Sequence, residues 1–136
     1  QVMTIALCTN RLLYSAFDAT RDEHGFALTS ASRPFDVAVL PRSQEDAGTA
    51  AELASRLTDR SLRVALDDRA GRRLAARAAF ASYLGTPLSL VVHRDLGVLA
   101  PRGTVPDFGS ASLLDDAMAT VIADLSAPDG NRSKRM

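Results

Sequence analysis

The apolar residues of this chain follow two different spacings. In residues 35–40, 62–66 and 88–92 they run together or alternate with polar ones, the period of a strand. In the stretches between, they recur every three or four positions, the period of a helix. Residues 35–40 predict a strand closed by Pro41, and 42–46 a polar loop. Gly48 and Thr49 then offer a cap for a helix running to about Thr58, with Ala51, Leu53, Ala54 and Leu57 as its buried stripe. Residues 62–66 predict a second buried strand, stopping at Asp67, Asp68 and Arg69. Residues 88–92, rich in Val and Leu, predict a third strand covered on both faces. About twenty residues with Ala and Arg at helical spacing separate these last two, the length of a right-handed crossover joining parallel strands. Residues 97–105 carry weaker signals for a hairpin or meander. Residues 110–125 predict a final helix capped by Ser110 or Ser112, with Asp115 and Asp116 in its first turns. Its apolar side is Leu113, Leu114, Ala117, Met118, Val121, Ile122 and Leu125.

Upstream, residues 2–7 predict a short strand. Residues 11–19 predict a helix, capped from Cys8, Thr9 or Asn10, with Leu12, Leu13, Ala16 and Phe17 on one face. A polar turn ends at Gly25, and Pro34 marks the boundary before the regular elements. Tyr14, Phe17, Phe35 and Tyr83 are expected as packing residues. The order β-α-β-α-β, then a weak β-β, then α implies an α/β fold. The expected architecture is a three-layer α/β domain with a mixed, about five-stranded sheet, preceded by a short strand-helix segment. Residues 126–136 are polar and basic at Arg132, Lys134 and Arg135, and are expected to be a disordered tail.

Composition narrows the functional classes. Sixteen basic and sixteen acidic residues cancel, so no global basic field drives non-specific nucleic-acid binding, and any such contact must come from a local patch. The single cysteine, Cys8, excludes an internal disulfide framework. It suits a reducing intracellular compartment, cytoplasm or mitochondrial matrix. Without His or Asp beside it in sequence, Cys8 is expected to be a buried or partly buried free thiol. His24 and His93 stand alone and lack metal-ligand spacing, so no metal, cofactor or membrane insertion is expected. Open α/β sheets bind ligands at the carboxyl ends of their strands, which is where Asp67, Asp68 and Arg69 emerge.

Three stretches in this order resemble the anticodon-binding domain of class IIa aminoacyl-tRNA synthetases, the group serving proline, threonine, histidine and glycine. They are Pro34 through Pro41; Val64-Ala65-Leu66-Asp67-Asp68-Arg69; and Leu84-Gly85-Thr86-Pro87 followed by the apolar strand. Residues 7–41 also resemble the end of a prolyl-type catalytic domain: a third signature motif, a helix, the turn Asp22-Glu23-His24-Gly25 and a linker. The resemblance implies three parts: residues 1–33 as the remnant of a class II catalytic domain plus linker, 34–125 as the anticodon-binding-like domain, and 126–136 as the tail. It places Arg11 where the third motif has its ATP-binding arginine, against the plainer reading of a structural salt bridge. It makes Asp67, Asp68, Arg69, Arg72, Arg73 and Arg77 the candidate RNA-binding residues, gripping phosphates, stacking on unpaired bases and accepting from base amino groups. The plainer reading has Asp67 or Asp68 capping the helix and the arginines forming a solvated face.

The departures from the family pattern are chemical. Ala6 and Cys8 stand where the motif has glycines that let the backbone pass under adenosine, and any Cβ there occupies ligand space. The helix after Arg73 keeps one basic residue and lacks the usual acidic one. The first two catalytic motifs are absent from these 136 residues. The sequence therefore implies no catalytic residues and no aminoacylation by this chain alone. The favoured expectation is a non-catalytic synthetase-derived RNA-binding or scaffolding subunit. Its partners would be tRNA or ribosomal RNA and proteins of a larger, possibly mitochondrial, ribonucleoprotein assembly. The alternatives are the C-terminal part of a functional prolyl-tRNA synthetase, or a purely structural subunit.

Overall fold

The computed structural model describes residues 2–6 and 8–126. The expected tail falls outside the described residues from 127 onward, with Arg132, Lys134 and Arg135. The core is a five-stranded mixed sheet of β3 (Val37–Pro41), β4 (Val64–Leu66), β5 (Leu88–His93), β6 (Leu96–Pro101) and β7 (Ser112–Leu113), in the order β4-β3-β5-β6-β7. β3 is parallel to both β4 and β5, while β6 and β7 add on antiparallel.

The two near-continuous apolar runs are the inner strands because both of their faces are covered. Val37, Val39, Leu88, Leu90 and Val92 point to one side, where α2 (Ala47–Thr58) and α4 (Leu114–Ser126) pack. Ala38, Leu40 and Val91 point to the other, covered by α3 (Leu74–Tyr83) through Ala78 and Ala81. This is the three-layer α/β arrangement the periodicity implies. Side-chain size sets the spacing: Gly97 in β6 lies under α4, where a Cβ would come within 2.6 Å of the Ala117 methyl carbon.

Several local expectations change. β4 is the outermost strand and only partly buried, so the alternation in 62–66 marks an edge. The Ala-Arg stretch gives a helix of ten residues, preceded by a loop. Ala50, not Ala51, joins the buried stripe of α2, and a short 3-10 turn (Gln44–Asp46), closed by a capping box of Ser43 and Asp46, leads into it. The last helix begins at Leu114, because Ser112 and Leu113 pair with β6, so neither Ser110 nor Ser112 caps it. Residues 2–6 form no strand, since a strand needs a neighbour and none of the described residues pairs with them.

Before the sheet lie α1 (Thr9–Ala19) and an antiparallel hairpin of β1 (Arg21–Asp22) and β2 (Gly25–Phe26). Leu12, Leu13 and Tyr14 are exposed, so the apolar face of α1 is uncovered among the described residues and Tyr14 is no packing residue. Cys8 is exposed, contrary to the buried thiol expected. Phe17, Phe26 and Tyr83 form a chain of ring contacts at 5.4 and 5.3 Å that fixes the hairpin to α3. Arg102 clamps Asp22 through two bonds of 2.7 Å and holds its carboxyl well below the usual carboxylate range.

Gly25 makes this docking possible. Its φ is +116° and a Cβ there would collide with the Tyr83 backbone. Gly25→Ala is expected to cost about 1–3 kcal/mol of local docking. Tryptic cleavage at Arg11 and Arg21 should then speed up about tenfold; cleavage at the wild-type rate would show that the hairpin is held by other contacts.

Candidate nucleic-acid interface

The three parallel strands end together, at Pro41, Leu66 and His93, and the loops leaving them form one edge of the molecule. After β4, Asp67 folds back on Arg69. It accepts from the Arg69 backbone N–H at 3.1 Å, from Nε at 2.9 Å and from a terminal nitrogen at 2.7 Å. These bonds outweigh the burial that would raise its pKa, so the Asp67 carboxyl is held low and the Arg69 guanidinium is held charged. Arg69 also lies over the Phe80 ring, 5.3 Å from its centroid. Asp68, Arg72 and Arg73 are exposed in the same loop. Arg73 is the N-cap residue of α3 and makes no side-chain cap bond, so neither Asp67 nor Asp68 caps this helix.

Arg77 is not part of this surface. It is 2% exposed, with one terminal nitrogen donating to the Pro41 carbonyl at 2.8 Å and the other to the Asp67 carbonyl. It therefore ties the ends of β3 and β4 together from inside. Its place in the sequence hinted at this: Leu74, Arg77, Ala78 and Ala81 follow the i, i+3, i+4, i+7 spacing of a buried face. Arg11 lies exposed on α1, with no ion-pair partner among the described residues in place of the expected salt bridge.

A second cluster on the same edge was not singled out in the sequence. Asp46 is 4% exposed and accepts from the Ser43 hydroxyl at 2.8 Å and the Arg94 backbone N–H at 2.7 Å, with His93 Nδ1 at 3.5 Å. Burial would raise its pKa, but these bonds together lower it, and the ionised carboxylate fixes the β5–β6 turn. Arg94 adopts a φ of +55° there and is exposed beside it. Arg42, just past β3, sits over the Phe108 ring at 4.4 Å, and His93 meets the same ring edge-on at 6.3 Å. The Ser43-Gln44-Glu45-Asp46 spacing was the available signal for Asp46. Phe108, far along the chain, had none.

The edge thus carries Arg42, Arg72, Arg73 and Arg94, all exposed and without an ion-pair partner among the described residues. Two rings and a carboxylate-braced Arg69 complete it. Such a surface can contact phosphates and stack on bases. Among the described residues no group of His, Cys, Asp and Glu is placed to hold a metal ion, and no helix is long and apolar enough to cross a membrane.

No family model matches the chain. Its sequence relatives are prolyl-tRNA ligases. The proline–tRNA ligase of Halothermothrix orenii is 34% identical over 105 residues, which is 72% of this chain and 18% of that protein. That of Leuconostoc citreum is 33% identical over 88 residues, 62% of this chain and 15% of that protein. The chain therefore spans less than a fifth of the curated relatives it matches. Among solved structures, Giardia lamblia prolyl-tRNA synthetase in complex with prolyl-adenylate matches with a TM-score of 0.58 at 20% identity. The match covers 85% of this chain and 29% of that one. The RNA binding domain of threonyl-tRNA synthetase from Cryptosporidium parvum Iowa II matches with a TM-score of 0.57 at 19% identity, over 70% of this chain and 24% of that one. The fold is of the synthetase anticodon-binding type.

Proposed function

We propose that this chain is an RNA-binding, non-catalytic module of prolyl-tRNA synthetase descent, and that the carboxyl edge of its parallel strands is the binding face. The observation that carries the reading is the row of four arginines without an ion-pair partner among the described residues, Arg42, Arg72, Arg73 and Arg94, on an edge of a chain whose net charge is zero. Relatives that are tRNA ligases and a fold shared with an RNA binding domain support it. The scaffold role within a larger assembly draws support from the uncovered apolar face of α1.

The test is filter binding to tRNA and to ribosomal RNA fragments over a salt series. Each phosphate contact adds about 0.7–0.9 to the slope of log affinity against log salt. Replacing Arg72 and Arg73 together by Ala, or Arg42 and Arg94 together, should weaken binding about tenfold and reduce that slope by about two. No binding at low salt removes the RNA role, and unchanged affinity in both double variants moves it to another face.

A second reading is favoured by the relatives' length: the chain corresponds to under a fifth of complete prolyl-tRNA ligases, and so would be the RNA-binding end of such an enzyme. Finding the first two catalytic motifs in the same polypeptide would decide for it.

A further inference from the structure

Asp46 does more than fix the β5–β6 turn: it orients a histidine. The side chain of Asp46 is 5% exposed and that of His93 26%, and Asp46 Oδ2 stands 3.5 Å from His93 Nδ1. Three donors hold the carboxylate in place, the Ser43 backbone N–H at 3.1 Å, the Ser43 hydroxyl at 2.8 Å and the Arg94 backbone N–H at 2.7 Å. They keep it ionised against its burial. An anion beside Nδ1 keeps the ring proton on that nitrogen, which leaves Nε2 of the neutral ring as a bare acceptor. Nε2 has no hydrogen-bond partner among the described residues. Unlike the two buried orphan atoms, Arg77 Nε and Thr86 Oγ1, it is open to solvent.

The neighbours of this acceptor specify what it meets. Arg94 follows His93 in the chain and is exposed. Phe108, 37% exposed, meets the His93 ring edge-on at 6.3 Å and carries Arg42 over its face at 4.4 Å. In a nucleotide the sugar lies between phosphate and base. A strand whose phosphate meets Arg94 or Arg42, and whose base stacks beside Phe108, therefore brings its ribose to His93. A bare imidazole nitrogen repels phosphate oxygens and needs a donor, and within a strand the sugar's donor is the 2′-hydroxyl. We propose that His93 reads the ribose on the arginine edge, Nε2 accepting a hydrogen bond from a 2′-hydroxyl, so that this face takes single-stranded RNA in preference to DNA of the same sequence. The inference rests on the RNA reading above and names the chemical group by which that site selects its ligand.

The experiment is fluorescence anisotropy of the full chain with labelled short single strands of one sequence, made as RNA, as 2′-O-methyl RNA and as DNA, over a salt series. RNA should bind about fivefold more tightly than either strand lacking the hydroxyl donor, the worth of one hydrogen bond. His93→Phe keeps a flat ring and removes the acceptor. It should bring RNA down to the level of DNA, leave DNA unchanged, and preserve the slope of log affinity against log salt, since no phosphate contact is lost. His93→Gln, whose amide oxygen can accept, should retain part of the preference. A hydrogen bond to a base edge would be made equally well in DNA. Equal binding of the three strands by the wild type, or a preference for RNA that survives His93→Phe, overturns the proposal and leaves the arginine edge as a binding face. No binding of any strand at low salt removes the RNA reading and this inference together.

Discussion

Arg77→Met is expected to destabilise the domain by about 3 kcal/mol and lower its thermal midpoint by roughly 10 °C. Met fills similar space, so the effect isolates the guanidinium. Two inward-facing carbonyls, Pro41 O and Asp67 O, lose their donor, and each buried acceptor left bare costs about 1–3 kcal/mol. The Asp67 carboxylate also loses a cation that helps hold it ionised. Arg77→Lys should recover only part of the loss, because an ammonium cannot span two carbonyls as a planar fork does. Differential scanning calorimetry measures both variants. A midpoint for Arg77→Met within about 2 °C of wild type would show that Arg77 is a tolerated guest and not a tie between strands.

The second large effect concerns the entry to the sheet. Asp36 is 6% exposed and sits between two arginines. Arg33 Nε donates to it at 2.8 Å, and Arg63 reaches it through its backbone N–H, Nε and a terminal nitrogen at 2.9–3.0 Å. Arg63 also donates to the carbonyls of Arg33 at 2.7 Å and Ser30 at 2.6 Å, lacing the segment before β3 to the strand after α2. Burial would push the Asp36 carboxyl up, yet the bonds from Arg63 and Arg33 bring it down from 3.8 to about 2. That drop corresponds to roughly 2 kcal/mol. The native state releases the proton more readily than the unfolded chain, so this stability is fully present above about pH 4 and fades as pH falls through about 2. Asp36→Asn should therefore be less stable than wild type by about 2–3 kcal/mol at neutral pH, with the gap closing in acid. Urea unfolding of both proteins from pH 7 to pH 2 is the measurement. A gap independent of pH would assign the effect to packing and not to charge.

How much of this was legible depended on whether burial or neighbourhood decided the matter. β3 and β5 were plain because a strand covered on both faces has no polar alternative, and the sheet centre, helix order and antiparallel addition followed. The edge position of β4 was not, since a period of two says that one face is wet but not which strand lies alongside. Residues 2–6 carry the same apolar character as β3 and form no strand, because pairing is a property of the partner. Within the candidate site, the loop from Asp67 to Arg73 is legible as a candidate through its motif. Arg77 was misplaced because its charge was weighed above its position on the buried face of α3. Arg42, Phe108 and Arg94 come together only after 66 residues have folded back, and no local spacing encodes that.

The brevity of the two outer strands has a consequence of its own. β4 has three residues and β7 two, while the strands inside them have five or six. A sheet edge is a template onto which another chain can add, and a short one offers too few backbone groups to hold a stranger in register. Leu66 and Leu113, each well exposed on an outer strand, would be hazardous on a longer rim. Here they can stay apolar without nucleating aggregation.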